Sequence, residues 1–448
     1  MGKLFGTDGV RGIVNSDLTP ELAFSLGRVG AHVLLRNKEK AKIVIGKDTR
    51  ISGDLLELSM TAGFLSMGVN VVSLGVVPTP AVAHLTRELK ADCGVMISAS
   101  HNPAEYNGIK FFTNEGYKLP DDIEEEIEKY ILDKIDIEVR PTGENVGTYT
   151  ILDNALDMYG DYVKSTVKQS FHGLKIVVDP GNGAAYEIAP RLLRELGAEI
   201  FVINDKPDGM NINLGCGSTH PEEVQELVRK YNADIGLAFD GDADRLIAVD
   251  NECQIVDGDH ILTICGTALK KQGLLKNDTV VATVMSNIGL DIAMKEEGCK
   301  VAKTKVGDRY VLEEMRNLGY SLGGEQSGHI IFLDYNTTGD GLLTALKLVE
   351  TVKIENKSLS QLSNKMISFP QVLVNARIKN ENKEAYLQDE TIMNEIKNIE
   401  TKLMGQGRVL IRPSGTEPLV RVMLEGKDQN QLNELANKLA KLIEKRLG

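Results

Sequence analysis

A repeated segment of ten residues constrains the fold of this chain more than any other feature. Residues 91–100 read ADCGVMISAS and residues 233–242 read ADIGLAFDGD, so each is an apolar run that ends in a polar loop. A weaker third copy, YSLGGE, follows at 320–325. Chance similarity between buried strands is the alternative, but the shared polar endings favour a repeat. Three related α/β units would place three loops at the carboxyl ends of strands, where open α/β sheets bind ligands.

Apolar runs alternate with amphipathic stretches along most of the chain, a pattern typical of α/β architecture. The runs at 43–45, 176–178 and 279–282 are nearly continuous, as expected for strands buried on both faces of a sheet. After residue 369 the pattern changes to three strands and one amphipathic helix, which indicates a smaller α+β unit. We therefore predict an α/β protein with three related mixed-sheet domains and a C-terminal α+β domain. The predicted domains are 1–150, 151–255, 256–368 and 369–448.

The charge and the cysteine content of the chain limit its partners and location. Lys and Arg number 51 and Asp and Glu number 64, which leaves a net charge of −13, so no nucleic-acid partner is expected. Five scattered cysteines without a C-x-x-C pair indicate reduced thiols and a cytoplasmic location. The uncharged stretch 58–86 contains Gly68, Pro78 and Pro80, so we predict a buried helix and a strand there and no membrane partner. The first residues lack the apolar segment of a secretory signal.

The loop DGDADR at 240–245 is the sharpest chemical signal. The carboxylates of Asp240, Asp242 and Asp244 can turn toward one point, and their mutual repulsion calls for a hard cation, for which oxygen ligands indicate Mg²⁺. An EF-hand also begins with alternating acids, but it needs Gly and Glu where this chain has Arg245 and Asn251. An acidic surface turn is the plain alternative, and the apolar run before the loop argues against it.

A second polar loop, SASHNP at 98–103, follows another apolar run. Ser100 beside His101 suits a nucleophile or a phosphate carrier, although a Ser-His pair in a turn is more often only a cap. The chain has no G-x-S-x-G motif, which argues against an α/β-hydrolase. Lys110 can reach the same site or be an ordinary surface lysine.

Two further loops suit a phosphosugar. The turn RPSGTEP at 412–418, together with Arg421, combines backbone donors, hydroxyls and two guanidinium groups, which suits a phosphate, and a polar hairpin turn is the alternative. The loop GGEQSGH at 323–329 combines a carboxylate, a hydroxyl and an imidazole, which suits sugar hydroxyls. His329 in that loop can equally be a structural histidine.

Taken together, these loops resemble the α-D-phosphohexomutase superfamily, over nearly the whole chain from FGTDGVRG at 5–12 to Arg421. Within it, the N-terminal motif, Gln326 and the segment VGDRY at 306–310 resemble the bacterial subgroup that acts on glucosamine phosphates. Relatives that act on mannose and glucose phosphates more often have Met at position 326.

The resemblance implies four domains around one central cleft and a phosphoserine enzyme. In chain order, the first domain would bear the phosphoserine, the second would bind the metal and the third would recognise the sugar. The fourth would be a phosphate clamp, which holds the phosphate of the substrate. Ser100 would hold the phosphoryl group, and a phosphoserine oxygen would join Asp240, Asp242 and Asp244 as ligands of a single Mg²⁺ ion. Residues implied to assist transfer or to hold the substrate are Lys110, Arg245, Glu325, Ser327, Arg412, Ser414, Gly415, Thr416 and Arg421. Three more candidates from the same motifs are Arg11, His101 and His329.

The reaction implied by the resemblance is the interconversion of glucosamine 6-phosphate and glucosamine 1-phosphate through a 1,6-bisphosphate. It would feed UDP-N-acetylglucosamine and cell-wall precursors, with a trace of hexose 1,6-bisphosphate as activator. The expected ligand is a small phosphosugar, and a homodimer is left open. Three alternatives stay open: a phosphomannomutase/phosphoglucomutase, a Ser-dependent phosphomonoesterase, and a non-catalytic phosphosugar-binding module.

Overall fold

The structure is a computed structural model that describes residues 4–6, 8–36, 38, 40–403, 407–414 and 418–448. It divides into two compact units, one with residues up to 285 and 298–365, and one with residues 286–297 and 366–448.

The strands are, in chain order, β1 (Phe5–Gly6), β2 (Gly9–Ile13), β3 (Lys42–Lys47), β4 (Asn70–Val76), β5 (Cys93–Ile97), β6 (Tyr106–Thr113), β7 (Tyr149–Ile151), β8 (Lys175–Asp179), β9 (Glu199–Val202), β10 (Ile235–Phe239), β11 (Leu246–Asp250), β12 (Ile255–Val256), β13 (Thr279–Thr283), β14 (Lys300–Thr304), β15 (Leu322–Gly324), β16 (Ile330–Phe332), β17 (Gln371–Arg377), β18 (Arg408–Pro413) and β19 (Leu419–Glu425).

The α-helices are, in chain order, α1 (Pro20–Leu35), α2 (Gly53–Leu65), α3 (Thr79–Glu88), α4 (Asp121–Leu132), α5 (Ala155–Ser165), α6 (Ile188–Glu195), α7 (Glu222–Tyr231), α8 (Gly258–Lys271), α9 (Ile288–Glu296), α10 (Asp308–Leu318), α11 (Gly341–Glu355), α12 (Leu359–Ser363), α13 (Glu390–Lys402) and α14 (Gln429–Leu447).

Three sheets in the first unit share one core topology, which confirms the predicted repeat. Over the described residues their strand orders are β1-β2-β6-β5-β3-β4-β7, β12-β11-β10-β8-β9 and β14-β13-β15-β16. In each sheet one strand, β5, β10 or β15, has a parallel partner on one side and an antiparallel partner on the other. In chain order, each of these strands is the third of a β-α-β-α-β series. The loops that follow the three equivalent strands are the loops singled out in the sequence.

Burial explains why these segments form strands. Every residue of β5 and of β10 is buried, as expected for apolar runs in the middle of a sheet covered on both faces. In the first domain, α1 and α2 pack against the sheet with Leu26, Met60 and Phe64 in contact with the core. Burying each such side chain contributes about 1.5–3 kcal/mol.

The uncharged stretch at 58–86 contains the predicted helix and strand, and its last residues form most of α3, which was not predicted. Helix α2 ends at Leu65, and β4 runs from Asn70 to Val76 between β3 and the edge strand β7 of the first sheet. Among the described residues, no helix combines the length and the apolar character that crossing a membrane requires.

The second unit contains an antiparallel sheet of order β17-β19-β18 with α13 and α14 packed on it. The predicted strands and the C-terminal helix are confirmed there. Helix α13 was not predicted, because only Ile392 and Ile399 of this helix are fully buried and its apolar stripe is therefore narrow.

Two short edge strands lie at the predicted domain boundaries. Strand β7 contains the predicted boundary at residue 150 and pairs with β4 in the first sheet. Strand β12 contains the predicted boundary at residue 255 and pairs with β11 in the second sheet. The three boundaries between the predicted domains stay predictions.

Candidate active site

The loop after β5 meets the loop after β10. The hydroxyl Oγ of Ser100 donates a hydrogen bond of 2.6 Å to Oδ2 of Asp240. Ser100 is 1% exposed and has a φ of 54°, in the left-handed region that residues other than glycine rarely adopt. The predicted carrier serine and the first predicted metal ligand are therefore in direct contact.

Asp240, Asp242 and Asp244 form the predicted carboxylate cluster. One ligand atom from each lies within 4.8 Å of the others, and all three residues are buried. Burial and the other two carboxylates raise the pKa of Asp240 well above its usual value. Among the described atoms, Oδ1 of Asp242 and Oδ1 of Asp244 are buried without a hydrogen-bond partner. Carboxylate oxygens that repel each other and lack a hydrogen-bond partner are suited to bind a divalent cation that prefers oxygen ligands.

Cationic and hydroxyl groups surround this cluster. Nζ of Lys110 lies 2.8 Å from Oδ2 of Asp242, and the hydroxyl of Thr79 donates to the same oxygen at 2.6 Å. Burial would lower the pKa of Lys110, but Asp242, Asp8 and Asp244 outweigh burial and raise it, so the ammonium stays charged. Nε of Arg245 lies 3.7 Å from Oδ1 of Asp244.

His101 and Arg11 complete the side of the site next to the serine. Nδ1 of His101 lies 3.4 Å from Oγ of Ser100. Burial and the nearby cations Arg245 and Arg11 lower the pKa of His101, so its imidazole is neutral near pH 7. Arg11 forms an ion pair with Asp8.

The third loop joins the other two. The backbone N–H of Leu246 donates to the carbonyl of Gly328 at 3.0 Å. The backbones of Arg245 and His329 also pair as an isolated antiparallel β-bridge. Gly328 has a φ of 93°, and a Cβ there would lie 2.2 Å from the carbonyl oxygen of Leu246, so only glycine fits. Because of this contact the sugar-recognition loop lies beside the metal loop.

The predicted residues of this third loop have different surroundings. His329 is buried, with Nδ1 3.5 Å from Oδ2 of Asp244, and the backbone N–H of Gly339 donates to its Nε2 at 3.1 Å. Glu325 accepts a hydrogen bond of 3.2 Å from the N–H of Gly307, and Ser327 is exposed. Ser327 is thus open to a ligand, whereas His329 faces the metal cluster.

A partly buried charge network that sequence reasoning missed extends from the cluster. Nζ of Lys118 lies 2.6 Å from Oδ1 of Asp8 and 2.5 Å from Oδ2 of Asp308, and Asp8 is 3.3 Å from Lys110. Asp8 belongs to the motif FGTDGVRG at 5–12 and Asp308 to the segment VGDRY at 306–310, so both aspartates lie in segments that resemble the family. Lys118 had no local signal, because its partners are 110 and 190 residues away in the chain.

In the second unit, Arg412 and Arg421 are directly opposite each other on β18 and β19. Side chains of such cross-strand partners lie on the same face of the sheet. Burial and the neighbouring Arg421 lower the pKa of Arg412, which shows the repulsion an anion would relieve. The N–H of Ser414 donates to the carbonyl of Leu419 at 2.9 Å. Gly415 and Thr416 lie outside the described residues.

Comparisons with known proteins agree with this architecture. Four domain models of the phosphoglucomutase/phosphomannomutase family match the chain: α/β/α domains I, II and III at residues 2–137, 157–254 and 257–369, and the C-terminal domain at 373–442. A phosphoglucosamine mutase from Alkaliphilus oremlandii is 70% identical over 449 residues, which cover 100% of both chains.

Solved structures show the same fold. A phosphoglucomutase/phosphomannomutase family protein from Burkholderia thailandensis superposes with a TM-score of 0.81 at 26% identity, over 100% of this chain and 99% of that one. An N-acetylphosphoglucosamine mutase from Aspergillus fumigatus, solved with GlcNAc-6P and magnesium, has a TM-score of 0.68 at 17% identity, over 99% of this chain and 96% of that one.

The class defined by this fold and these matches is that of the phosphohexomutases, which are intramolecular phosphotransferases. More particularly, the chain belongs to the phosphoglucomutase/phosphomannomutase family.

Proposed function

We propose that this enzyme interconverts glucosamine 6-phosphate and glucosamine 1-phosphate through a phosphoserine at Ser100. The observation that carries the reaction type is the 2.6 Å contact between Ser100 and Asp240 at a buried carboxylate cluster. The substrate is supported by the high identity to a phosphoglucosamine mutase along the whole chain.

The chemistry consists of two transfers that mirror each other. The phosphoryl group on Oγ of Ser100 bonds to the free hydroxyl oxygen of the sugar phosphate while the bond between phosphorus and Oγ breaks. The hydroxyl loses a proton, Oγ gains one, and the product is a 1,6-bisphosphate. The bisphosphate turns around and returns its other phosphoryl group to Ser100.

We assign the proton transfer to His101. Its imidazole is 3.4 Å from Oγ and its pKa is lowered, so it can accept the hydroxyl proton and supply a proton to Oγ. Nζ of Lys110 is directed at Oδ2 of Asp242 at 2.8 Å, a position that suits charge stabilisation better than proton transfer. Lys110 and Arg245 instead stabilise the negative charge on the transferring oxygens.

The carboxylates of Asp240, Asp242 and Asp244 would hold Mg²⁺, together with an oxygen of the phosphoserine. When bound, the ion would neutralise charge on the transferring group. The buried Oδ1 atoms of Asp242 and Asp244, which have no partner among the described atoms, support this ligand set. Thr79 and Lys110 would orient Asp242 as a ligand through their contacts with its other oxygen.

The remaining residues would recognise the substrate. Glu325 and Ser327 suit the sugar hydroxyls, and His329 supports their loop through its contact with Asp244. Arg11 offers a guanidinium group for the substrate phosphate. Arg412 and Arg421, with Ser414, Gly415 and Thr416, would bind the phosphate that is not reacting.

The metabolic setting follows from the product. Glucosamine 1-phosphate would feed the synthesis of UDP-N-acetylglucosamine and of cell-wall precursors. All five cysteines are buried and none forms a disulfide, which supports a reducing compartment such as the cytoplasm. A trace of hexose 1,6-bisphosphate would restore phosphoenzyme that has lost its group.

A coupled assay tests the proposal. Purified phosphoenzyme with Mg²⁺ is given glucosamine, glucose or mannose 6-phosphate, and the 1-phosphate and inorganic phosphate are both measured. We expect isomerisation of glucosamine phosphate to be fastest, without stoichiometric phosphate release. Release of phosphate from every substrate would instead identify a phosphomonoesterase, and a preference for mannose or glucose phosphate would identify the related mutases.

A further inference from the structure

Two side chains outside the proposed reaction hold the backbone of Ser100. Nη2 of Arg50 donates to the carbonyl oxygen of Ser100 at 3.0 Å, and Nδ2 of Asn213 donates to the same oxygen at 2.9 Å. Both groups also donate to the carbonyl of Asn102, at 2.8 Å and 3.3 Å respectively. Arg50 follows β3 of the first sheet, whereas Asn213 lies between β9 and α7 of the second. The serine loop is therefore held from two domains at once.

The amide side of Ser100 is held by the same group of residues. The N–H of Ser100 donates to Oγ of Ser98 at 2.9 Å, and that hydroxyl donates to Oδ2 of Asp48 at 2.6 Å. Asp48 in turn forms an ion pair of 2.9 Å with Nε of Arg50, and both side chains are 0% exposed. A buried ion pair thus connects to both peptide groups of Ser100.

These contacts explain how Ser100 keeps its left-handed φ of 54°. A residue with a Cβ keeps such a conformation only when its surroundings over-determine it. Gly241 leaves room for the arrangement, because a Cβ there would lie 2.6 Å from the carbonyl oxygen of Ser100 and 2.8 Å from Nδ2 of Asn213. The carbonyl of Ser100 therefore packs against Gly241 of the metal loop and accepts hydrogen bonds from Arg50 and Asn213.

We propose that Arg50 and Asn213 are positioning residues for phosphoryl transfer, which hold the carbonyl of Ser100 so that its left-handed turn directs Oγ toward Asp240. This role rests on the proposed function of Ser100 as the phosphate carrier. Neither side chain contacts Oγ, so their effect is expected on the rate of transfer and not on sugar binding.

Two substitutions test the proposal from the two domains. Asn213→Asp keeps the size of the side chain but replaces the donating amide by an oxygen that repels the Ser100 carbonyl. Arg50→Lys keeps the charge but removes the planar fork that reaches the carbonyls of Ser100, Asn102, Pro103 and Tyr106. Each variant is phosphorylated, mixed with excess glucosamine 6-phosphate and Mg²⁺, and followed by rapid quench for loss of phosphate from Ser100.

We expect single-turnover transfer to slow by on the order of 10- to 100-fold in each variant, with KM changed by less than about twofold. The ³¹P resonance of the phosphoserine should shift or broaden, which a role in overall stability alone would not cause. The fold-decrease in transfer rate of the double variant should be smaller than the product of the two single fold-decreases, because both side chains hold the carbonyl of Ser100.

Matched controls separate positioning from folding. Arg28 donates to the carbonyls of Ile137 and Val139 at 2.9 Å and 3.2 Å, and Asn382 donates to the carbonyl of Leu447 at 2.9 Å. Arg28→Lys and Asn382→Asp remove similar contacts, so they should lower Tm but leave the transfer rate unchanged. If Arg50→Lys fails to fold, Asn213→Asp and Asn213→Ala still decide the question.

Transfer at the wild-type rate in folded Asn213→Asp and Asn213→Ala would overturn the positioning role and leave the carrier role of Ser100 intact. A wild-type enzyme that turns over without ever holding phosphate on Ser100 would overturn the proposed function, and the positioning role with it.

Discussion

Ser100 and Asp240 are 140 residues apart in the chain, yet their side chains share a hydrogen bond of 2.6 Å. They meet because β5 and β10 occupy the same place in two copies of one topology, and each residue lies in the loop that follows its strand. The contact places the proposed phosphate carrier directly on the proposed metal site.

Replacing the carrier should abolish turnover without unfolding the protein. Ser100→Ala removes the only group proposed to hold the phosphoryl, so we expect kcat to fall by on the order of 10³-fold or more. Intact-mass and peptide analysis should find one phosphate on Ser100 in the active wild type and none there in the variant. Ser59→Ala, on the outer face of α2, is the control and should keep full activity. Highly active protein without phosphate on Ser100 would falsify the prediction.

Removing one carboxylate charge should weaken the metal site. Asp242→Asn takes away one anionic ligand, so we expect Mg²⁺ to bind on the order of 10- to 100-fold more weakly, measured by calorimetry on the unliganded protein. Ca²⁺ should bind but support the reaction poorly, because its longer and looser coordination misplaces the oxygens. Asp54→Asn makes the same charge change at an exposed carboxylate and should leave affinity unchanged. Full activity in excess EDTA would contradict the metal role.

Loss of a clamp arginine should separate substrate retention from phosphorylation. Arg412→Ala removes one of two facing guanidinium groups, so we expect kcat/KM to fall by on the order of 10²–10³. Phosphorylation of Ser100 and Mg²⁺ binding should stay nearly intact, and more 1,6-bisphosphate should escape per turnover. Arg446→Ala, which removes a surface ion pair with Asp389 in the same unit, serves as the control. Unchanged kcat/KM and unchanged release would mean that the Arg412–Arg421 pair only closes a hairpin.

Acid should destabilise the protein through His84. Its ring stacks on Tyr162 at 3.9 Å between centroids, and burial, followed by repulsion from Arg87, lowers the pKa of His84 to about 4. The unfolded chain, with a pKa of about 6.5, binds the proton more tightly. The contribution of His84 to stability is therefore complete above about pH 6.5 and is lost as the pH falls toward about 4.

The variant His84→Phe keeps a stacked ring but cannot take up a proton. Between about pH 7 and pH 4.5, its free energy of unfolding should fall by about 2 kcal/mol less than that of the wild type. Urea titrations at the two pH values measure this difference. His172→Gln, at an exposed position, should follow the wild-type curve. Parallel losses in His84→Phe and wild type would show that other groups cause the acid sensitivity.

The repeat and the polar loops could be predicted from the sequence because each is a local pattern. The run Ile235–Phe239 is apolar at every position, as a strand covered on both faces requires, and alternating acids in an extended loop follow it directly. The same reasoning located Ser100 at the end of β5. Helix α13 was missed because only two of its side chains are fully buried, which leaves little periodicity to detect.

The sequence by itself determined the strands, the order of the loops and the types of chemical group that each loop carries, since these depend on neighbours within a few residues. Only the tertiary structure decided which distant groups serve those loops. Lys118 binds Asp8 and Asp308 across 110 and 190 residues, and Asn213 reaches the Ser100 carbonyl across 113. Such contacts arise when separate sheets pack together and buried polar groups must find partners, and no periodicity within one segment encodes which partner will be near.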